Sequence, residues 1–222
     1  MAAAVLQQQL ASLLVGNTWQ NRPRPDLVPT GIPAIDATGG LPRGALTEIA
    51  GPASSGRTSL LHSILAGAAA RNEICALIDA EDAFCPHDAA GAGADLTRLL
   101  WVRCAHDAGH ALKAADLLLQ GGGFGLVALD LGDTPPAQAR RISLTSWFRL
   151  RRAVEHTPAV FLSLARQSNA RTCASLVVEC SRVGAAWSGA RGISQLLRAT
   201  EIRAHFNGRE TQCTPVFTAR AI

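Results

Sequence analysis

Apolar residues along this chain follow two rhythms. Short runs with little polar interruption recur at Leu46-Thr47-Glu48-Ile49-Ala50, Ile74-Cys75-Ala76-Leu77-Ile78, Leu100-Trp101-Val102, Leu126-Val127-Ala128-Leu129 and Ala159–Leu164. Such runs predict strands, several buried on both faces of a parallel sheet. Between them the spacing changes to that of a helix. Leu60, Leu61, Ile64, Leu65, Ala68 and Ala69 share one face from Thr58 onward, residues 110–120 carry a second such face, and 137–156 reads as one long helix. The alternation predicts an α/β fold: an open, mostly parallel sheet with helices on both faces. Toward the end, Ser175–Cys180, Leu197–His205 and Pro215–Arg220 predict further strands, and Asn207-Gly208 predicts a hairpin turn, so an antiparallel edge should finish the sheet.

Ahead of this core, Val5, Leu6, Leu10, Leu13 and Leu14 mark an amphipathic helix over 1–16, and Pro23 and Pro25 mark an extended linker. The expected division is therefore a helix and linker over 1–25 and a core domain over 26–222. The helix either docks on a partner, chiefly through Val5, Leu6, Leu10 and Leu13, or packs on its own domain.

Composition narrows the class. The 222 residues are 48% hydrophobic, ample for one core, yet no apolar run reaches the length of a membrane span. The start lacks the basic region and cleavage site of a signal peptide, so a cytoplasmic protein is expected. The net charge is +4 and nearly all the basic residues are arginine, which suits nucleic acid or an acidic partner without selecting either. The six cysteines form no Cys-x-x-Cys pair and read as small buried apolar residues. Cys104, His106 and His110 have a spacing that either ligates a metal or merely starts a helix.

The richest chemistry lies at Gly51-Pro-Ala-Ser-Ser-Gly-Arg-Thr-Ser59. It has the form G-x-x-x-x-G-K-[ST] with Arg57 in place of lysine, between a predicted strand and a predicted helix, which is the context of a phosphate-binding loop. Gly51 and Gly56 let the backbone turn its N–H groups inward, Ser54, Ser55 and Ser59 add hydroxyls, and the helix start adds partial positive charge. Thr58 would hold Mg²⁺. Arginine keeps the charge of lysine but spreads it over a wide planar fork, so nucleotide binding should weaken and hydrolysis should suffer more. The alternative is a Gly-rich turn that binds nothing.

Two acids would complete a site for ATP and magnesium. Asp130 ends a buried strand, where it either binds the magnesium shell or caps the next turn. Glu81 follows another strand end beside Asp79, on the side where open α/β sheets bind ligands, and could orient an attacking water as general base. Asp82 and Asp133 read as solvated.

These residues carry a resemblance. Thr30-Gly31, Ile35-Asp36, Gly40-Leu41-Pro42-Arg43-Gly44, Glu48-Ile49, the loop 51–58 and Ile78-Asp79-Ala80-Glu81-Asp82-Ala83 resemble the RecA recombinase core, over roughly residues 28–222. The resemblance implies a RecA-like fold in which Glu81 is the water-activating glutamate and Asp130 the magnesium-site aspartate. The chain departs from the pattern at Arg57, and at Leu164 where RecA has a γ-phosphate-sensing glutamine, with Gln167 three residues on. Its second DNA loop is shortened to Arg166–Thr172, the first is also short, and no residues remain for a separate C-terminal domain. A shortened RecA with a degenerate loop resembles the ImuA (SulA-like) accessory family, as does Leu99-Leu100-Trp101-Val102-Arg103. That family implies a role in SOS-induced translesion synthesis beside RecA, an inactive Y-family polymerase homologue (ImuB) and an error-prone C-family DNA polymerase.

Three functions are thus open: a non-catalytic adaptor, a DNA-dependent RecA-type ATPase, and a DNA-binding module. The last would use Arg140, Arg141, Arg149, Arg151 and Arg152, clustered on or near one helix, for phosphate contacts, unless they are only a solvated face.

Overall fold

The computed structural model describes residues 26–189, 195–208 and 212–220. The segment 1–25, with its expected docking helix and linker, lies outside the described residues.

Two tiny strands, β1 (Leu27–Val28) and β2 (Leu41–Pro42), pair antiparallel around the short helix α1 (Pro33–Asp36). Asp36 holds this entry together by accepting from the Thr30 and Gly31 amides and the Thr30 hydroxyl. The central sheet is then built from β3 (Ala45–Ala50), β4 (Cys75–Asp79), β5 (Leu99–Arg103), β6 (Leu126–Leu131) and β7 (Val160–Ala165), all parallel. Its order is β5-β4-β6-β7-β3, continued on the far side by β8 (Leu176–Ser188), β9 (Leu196–Gly208) and β10 (Gln212–Cys213), with β11 (Val216–Arg220) also on β9. β8 runs parallel to β3 and antiparallel to β9, so the antiparallel edge is as expected.

The apolar runs form strands because both of their faces are covered. Every residue of β4 and β7 is buried. On one face lies α2 (Arg57–Ala70), whose Leu60, Leu61, Ile64 and Leu65 share a core with Leu77, Leu162, Ile202 and Phe206. On the other lie α4 (Ala108–Gly121) and α6 (Leu144–Val154), which bury Ala111, Ala115, Leu119, Trp147 and Leu150 against Ile78, Leu129 and Phe161. Two further short helices are α3 (Pro86–Gly91) and α5 (Pro136–Ala139). No helix among the described residues is long and apolar enough to cross a membrane.

Three expectations are corrected. The long helix over 137–156 is two helices, α5 and α6. The chain leaves helical geometry at Ser143, whose hydroxyl accepts the Ser146 amide at 3.1 Å and starts α6 afresh as an N-cap. The last strands are far longer than their apolar cores. β8 and β9 each run for 13 residues, with register shifts at Arg182/Gly184 and Ala186/Trp187, and carry exposed Trp187 and Leu196 beyond the stretch that pairs with β3. The hairpin expected at Asn207-Gly208 joins β9 to β10 but is displaced toward the C-terminus, because Asn207 still pairs with Gln212.

Candidate functional site

The loop after β3 has the backbone that its glycines demand. Gly56 sits in the left-handed region at φ 93°, and a β-carbon there would lie 2.2 Å from Ile202 Cδ1, so both conformation and close approach exclude a side chain. Ser54 is also left-handed at φ 59°. Helix α2 opens at Arg57 with no side-chain cap, which leaves its first N–H groups facing the loop. The Ser55 side chain is buried and its Oγ has no hydrogen-bond partner. Thr58 is exposed and Ser59 half-buried at the helix start. Uncapped amides after a left-handed glycine make a cradle that fits an anion, while the Ser55 hydroxyl is buried beside Gly51 on the side of the Cys180 carbonyl.

Arg57 does not project into solvent above this cradle. It is 8% exposed, and Nη1 donates to the Gly132 carbonyl beyond β6 at 3.2 Å. Arg166, just after β7, donates its Nε to the same carbonyl at 3.2 Å and lies 3.6 Å from Asp133. Burial lowers the pKa of Arg57, opposed by the nearby Asp130 and Asp133 carboxylates. Asp130 accepts the Gly132 amide at 2.7 Å. Burial pushes its pKa up to about 6; the Gly132 hydrogen bond and Arg57 pull it down, while Asp79 pushes it further up. A β-carbon on Gly132 would stand 2.8 Å from Asp130 Oδ1 and 3.1 Å from Arg57 Nη1, so arginine and aspartate flank the same backbone unit. Of the expected magnesium donors, Asp130 has one oxygen committed to backbone and a guanidinium close by. Its second oxygen and the exposed Thr58 hydroxyl are the groups that would hold a nucleotide's magnesium ion, which keeps several waters and takes its other oxygens from phosphates.

The acids after β4 are also engaged. Asp79 is buried and accepts from the Ala83 and Phe84 amides and from Trp101 Nε1, so it shapes the turn that carries Glu81. Glu81 accepts the Thr134 hydroxyl at 2.8 Å and meets His106 Nδ1 at 2.9 Å. A glutamate held on both oxygens is a poor general base for a loosely bound water. Asp82 pairs with Arg103 at 3.0 Å and is thus less solvated than expected, whereas Asp133 is exposed. Leu164, in register with both Asp130 and Ile49, is buried in the core. Gln167 is exposed and its carbonyl accepts the Asn169 side chain.

The turn after β6 thereby becomes a hub. Gly132 receives Arg57 and Arg166, Asp133 lies near Arg166, and Thr134 reaches Glu81. Sequence reasoning missed this hub, because nothing in Gly132-Asp133-Thr134 marks a carbonyl as the target of arginines from two other strand ends. It also missed Glu48. That fully buried carboxylate accepts the Ser168 hydroxyl and the Asn169 and Ala170 amides, pinning the loop after β7.

The expected arginine group divides. Arg149 is tied to Asp116 through two hydrogen bonds, and Arg151 lies 3.3 Å from Glu155. Arg152 is exposed. Arg140 and Arg141 are exposed and make no ion pair among the described residues. With Ser143, Gln167, Ser168 and Arg171 they line a cleft of about 300 Å³ between the segment before α6 and the loop after β7. Arg171 was not foreseen; it sits at φ 50° at the cleft margin.

Cys104, His106 and His110 do not assemble a metal site. His106 turns to Glu81, His110 lies 3.3 Å from Asp107, and no metal-binding group of three or more ligand-type residues occurs among the described residues. Four cysteines are buried as expected, and burial pushes Cys75 and Cys180 up to about 12. Cys85 is exposed, against expectation, because it precedes Pro86 at the open start of α3.

Comparison with known proteins agrees with this geometry. The family described as the RecA N-terminal domain matches residues 13–136, more than half of the chain. "Protein RecA" of Cutibacterium acnes is 42% identical over 106 residues, covering 46% of this chain and 30% of that protein. Its counterparts in Acidothermus cellulolyticus and Kineococcus radiotolerans are 34% and 32% identical over 161 and 165 residues, covering 64% and 66% of this chain. The chain spans less than half the length of these curated relatives, 47% at most. A match over most of the residues, laid on a mostly parallel sheet whose loop-bearing strand lies between β7 and β8, places this chain in the RecA family.

Proposed function

We propose that this chain is a RecA-family accessory protein that keeps the fold and a DNA-facing cleft but does not turn over ATP. In this reading it works in the cytoplasm as an adaptor in SOS-induced translesion synthesis. It docks on RecA, on an ImuB-type inactive polymerase homologue, or on both, and so serves an error-prone C-family polymerase. The observation that carries the non-catalytic half is the hydrogen bond from Arg57 to the Gly132 carbonyl. The cation that should follow charge on the terminal phosphates is spent on the protein's own backbone, and phosphoryl transfer depends on such positioned charge. The double engagement of Glu81 and the apolar Leu164 support the same conclusion.

The cleft supports a second component, single-stranded DNA binding. Arg140, Arg141 and Arg171 offer unpaired cations around it, and Glu48 fixes one of its walls. Backbone phosphates would be the ligand, so affinity should fall steeply with salt. The adaptor reading is tested by passing purified RecA and the polymerase homologue over the immobilised full chain. Retention of either at moderate salt is expected, and Leu6→Asp with Leu10→Asp should weaken it if the leading segment docks. Failure to retain either protein, with or without single-stranded DNA, would refute the adaptor.

A further inference from the structure

We infer that the buried Glu48 is a positioning residue for the cleft: it holds the loop after β7 in its ligand-ready form, with Arg171 at the cleft margin, before any nucleic acid arrives. The positioning role rests on the single-stranded DNA reading of the cleft, while the hold on the loop does not. Topology puts the acid where it can do this. β3 lies between β7 and β8, so the chain leaving β7 must cross the end of β3 to enter β8. Glu48 is in register with Ser163 of β7 and Val177 of β8, and its carboxylate meets the crossing chain. Its two oxygens take three donors, all from the loop. Oε1 accepts the Asn169 amide at 2.5 Å and the Ala170 amide at 3.0 Å, and Oε2 accepts the Ser168 hydroxyl at 2.5 Å. A fully buried carboxylate is costly in an apolar strand, and an apolar residue of similar size would serve folding as well or better. What the acid adds is a fixed place for residues 168–170.

The fixing reaches the cleft. Ala170 and Cys173 are fully buried, and the Cys173 amide donates to the Ala170 carbonyl at 2.9 Å, so the short turn between them is anchored at both ends. Between them Arg171 is held at φ 50°, a left-handed conformation that a non-glycine residue keeps only where its surroundings over-determine it. Ser168, Asn169 and Arg171 are also the loop's side of the cleft, facing the segment that carries Arg140 and Arg141. A cation already in place loses little ordering entropy when it meets a phosphate.

The test uses the full chain and a fluorescein-labelled oligothymidylate, with anisotropy read at several salt concentrations and amide hydrogen exchange read in the free protein. Wild-type amides 169 and 170 should exchange at least about tenfold more slowly than in an unstructured peptide of the same sequence. Glu48→Leu keeps an apolar side chain in the core and removes all three acceptor contacts. It should unfold in urea near the wild-type midpoint and speed exchange at 169 and 170 by about tenfold. It should also lower the slope of log affinity against log salt by about 1, as Arg171→Ala does. Adding Arg171→Ala to Glu48→Leu should then change the slope no further, whereas adding Arg141→Ala should lower it again by about 1. Glu48→Gln offers one oxygen to the two amides and an amino group to the Ser168 hydroxyl, so it should restore the wild-type slope. A folded Glu48→Leu chain with the wild-type slope would overturn the inference, as would full additivity with Arg171→Ala or a glutamine variant that restores nothing. Wild-type amides at 169 and 170 that exchange like the free peptide would overturn it without any variant, so a poorly folding Glu48→Leu leaves it exposed to refutation. Any of these failures with oligonucleotide still bound strikes the positioning role alone. A wild-type chain that binds no oligonucleotide strikes the cleft reading and the role together.

Discussion

Arg57 is 8% exposed and gives an Nη1 hydrogen to a backbone carbonyl, whereas Arg140, Arg141 and Arg171 stand in solvent around a cleft. The side chains are the same, and their surroundings decide what each can do. At the phosphate loop the guanidinium is desolvated, anchored to Gly132 and near Asp130, so its position is fixed before any ligand arrives. At the cleft no acid answers the arginines among the described residues, so their charge remains for a ligand. The comparison teaches that the motif's position and the protein's free positive charge have parted company. The loop's arginine is held inward, while the arginines around the cleft are exposed.

The largest expected effect breaks the comparison on the cleft side. Replacing Arg140, Arg141 and Arg171 together by alanine should lower the slope of log affinity for single-stranded DNA against log salt by about 2. Arg57→Ala should leave that slope alone. Fluorescence anisotropy at several salt concentrations measures both, and equal slopes for the two variants would erase the distinction.

Stability should show the reverse order. Arg57→Ala removes a buried donor and leaves the Gly132 carbonyl and Asp130 less well compensated, at a cost of about 2–3 kcal/mol in urea unfolding. Arg141→Ala, at an exposed position, should stay within about 0.5 kcal/mol of wild type. Similar losses would mean that Arg57 is not anchored as described.

Asp130 sharpens the contrast through pH. Its folded-state value is raised to about 6, above the ordinary aspartate value, so the folded state holds this proton more tightly than the unfolded chain. Its contribution is most favourable at low pH and is lost as pH rises from about 4 through about 6. Asp130→Asn should therefore flatten that part of the stability profile and raise stability at neutral pH by about 2 kcal/mol. A variant profile parallel to wild type would contradict the assignment. Smallest of all should be Arg149→Ala. Arg149 is already paired with Asp116, so DNA affinity should not change measurably.

Much of the fold was legible because it rests on local rules. Runs such as Leu126-Val127-Ala128-Leu129 need cover on both faces, and the glycines at 51 and 56 need a turn between strand and helix. The break at Ser143 was obscured because the helical pattern resumes beyond it, and a serine at an N-cap is easily read as a polar position on a continuous helix. The candidate site was legible as residue types but not as partnerships. Arg57 and Glu81 are visible in the sequence, while their partners Gly132, Thr134 and His106 come from other strand ends; Asp130 finds its partner two residues on. Glu48 was hidden by its setting, for an acid inside an apolar strand gives no hint that the loop at 168–170 wraps around it.

In the proposed function this family loop does not drive turnover, because its cation is held by the protein's own backbone. Phosphate release from ATP by the full chain, with and without saturating single-stranded DNA, tests it most directly. The account predicts a rate equal to the protein-free blank under both conditions and in Asp130→Ala. Release that rises with single-stranded DNA and disappears in Asp130→Ala would contradict it.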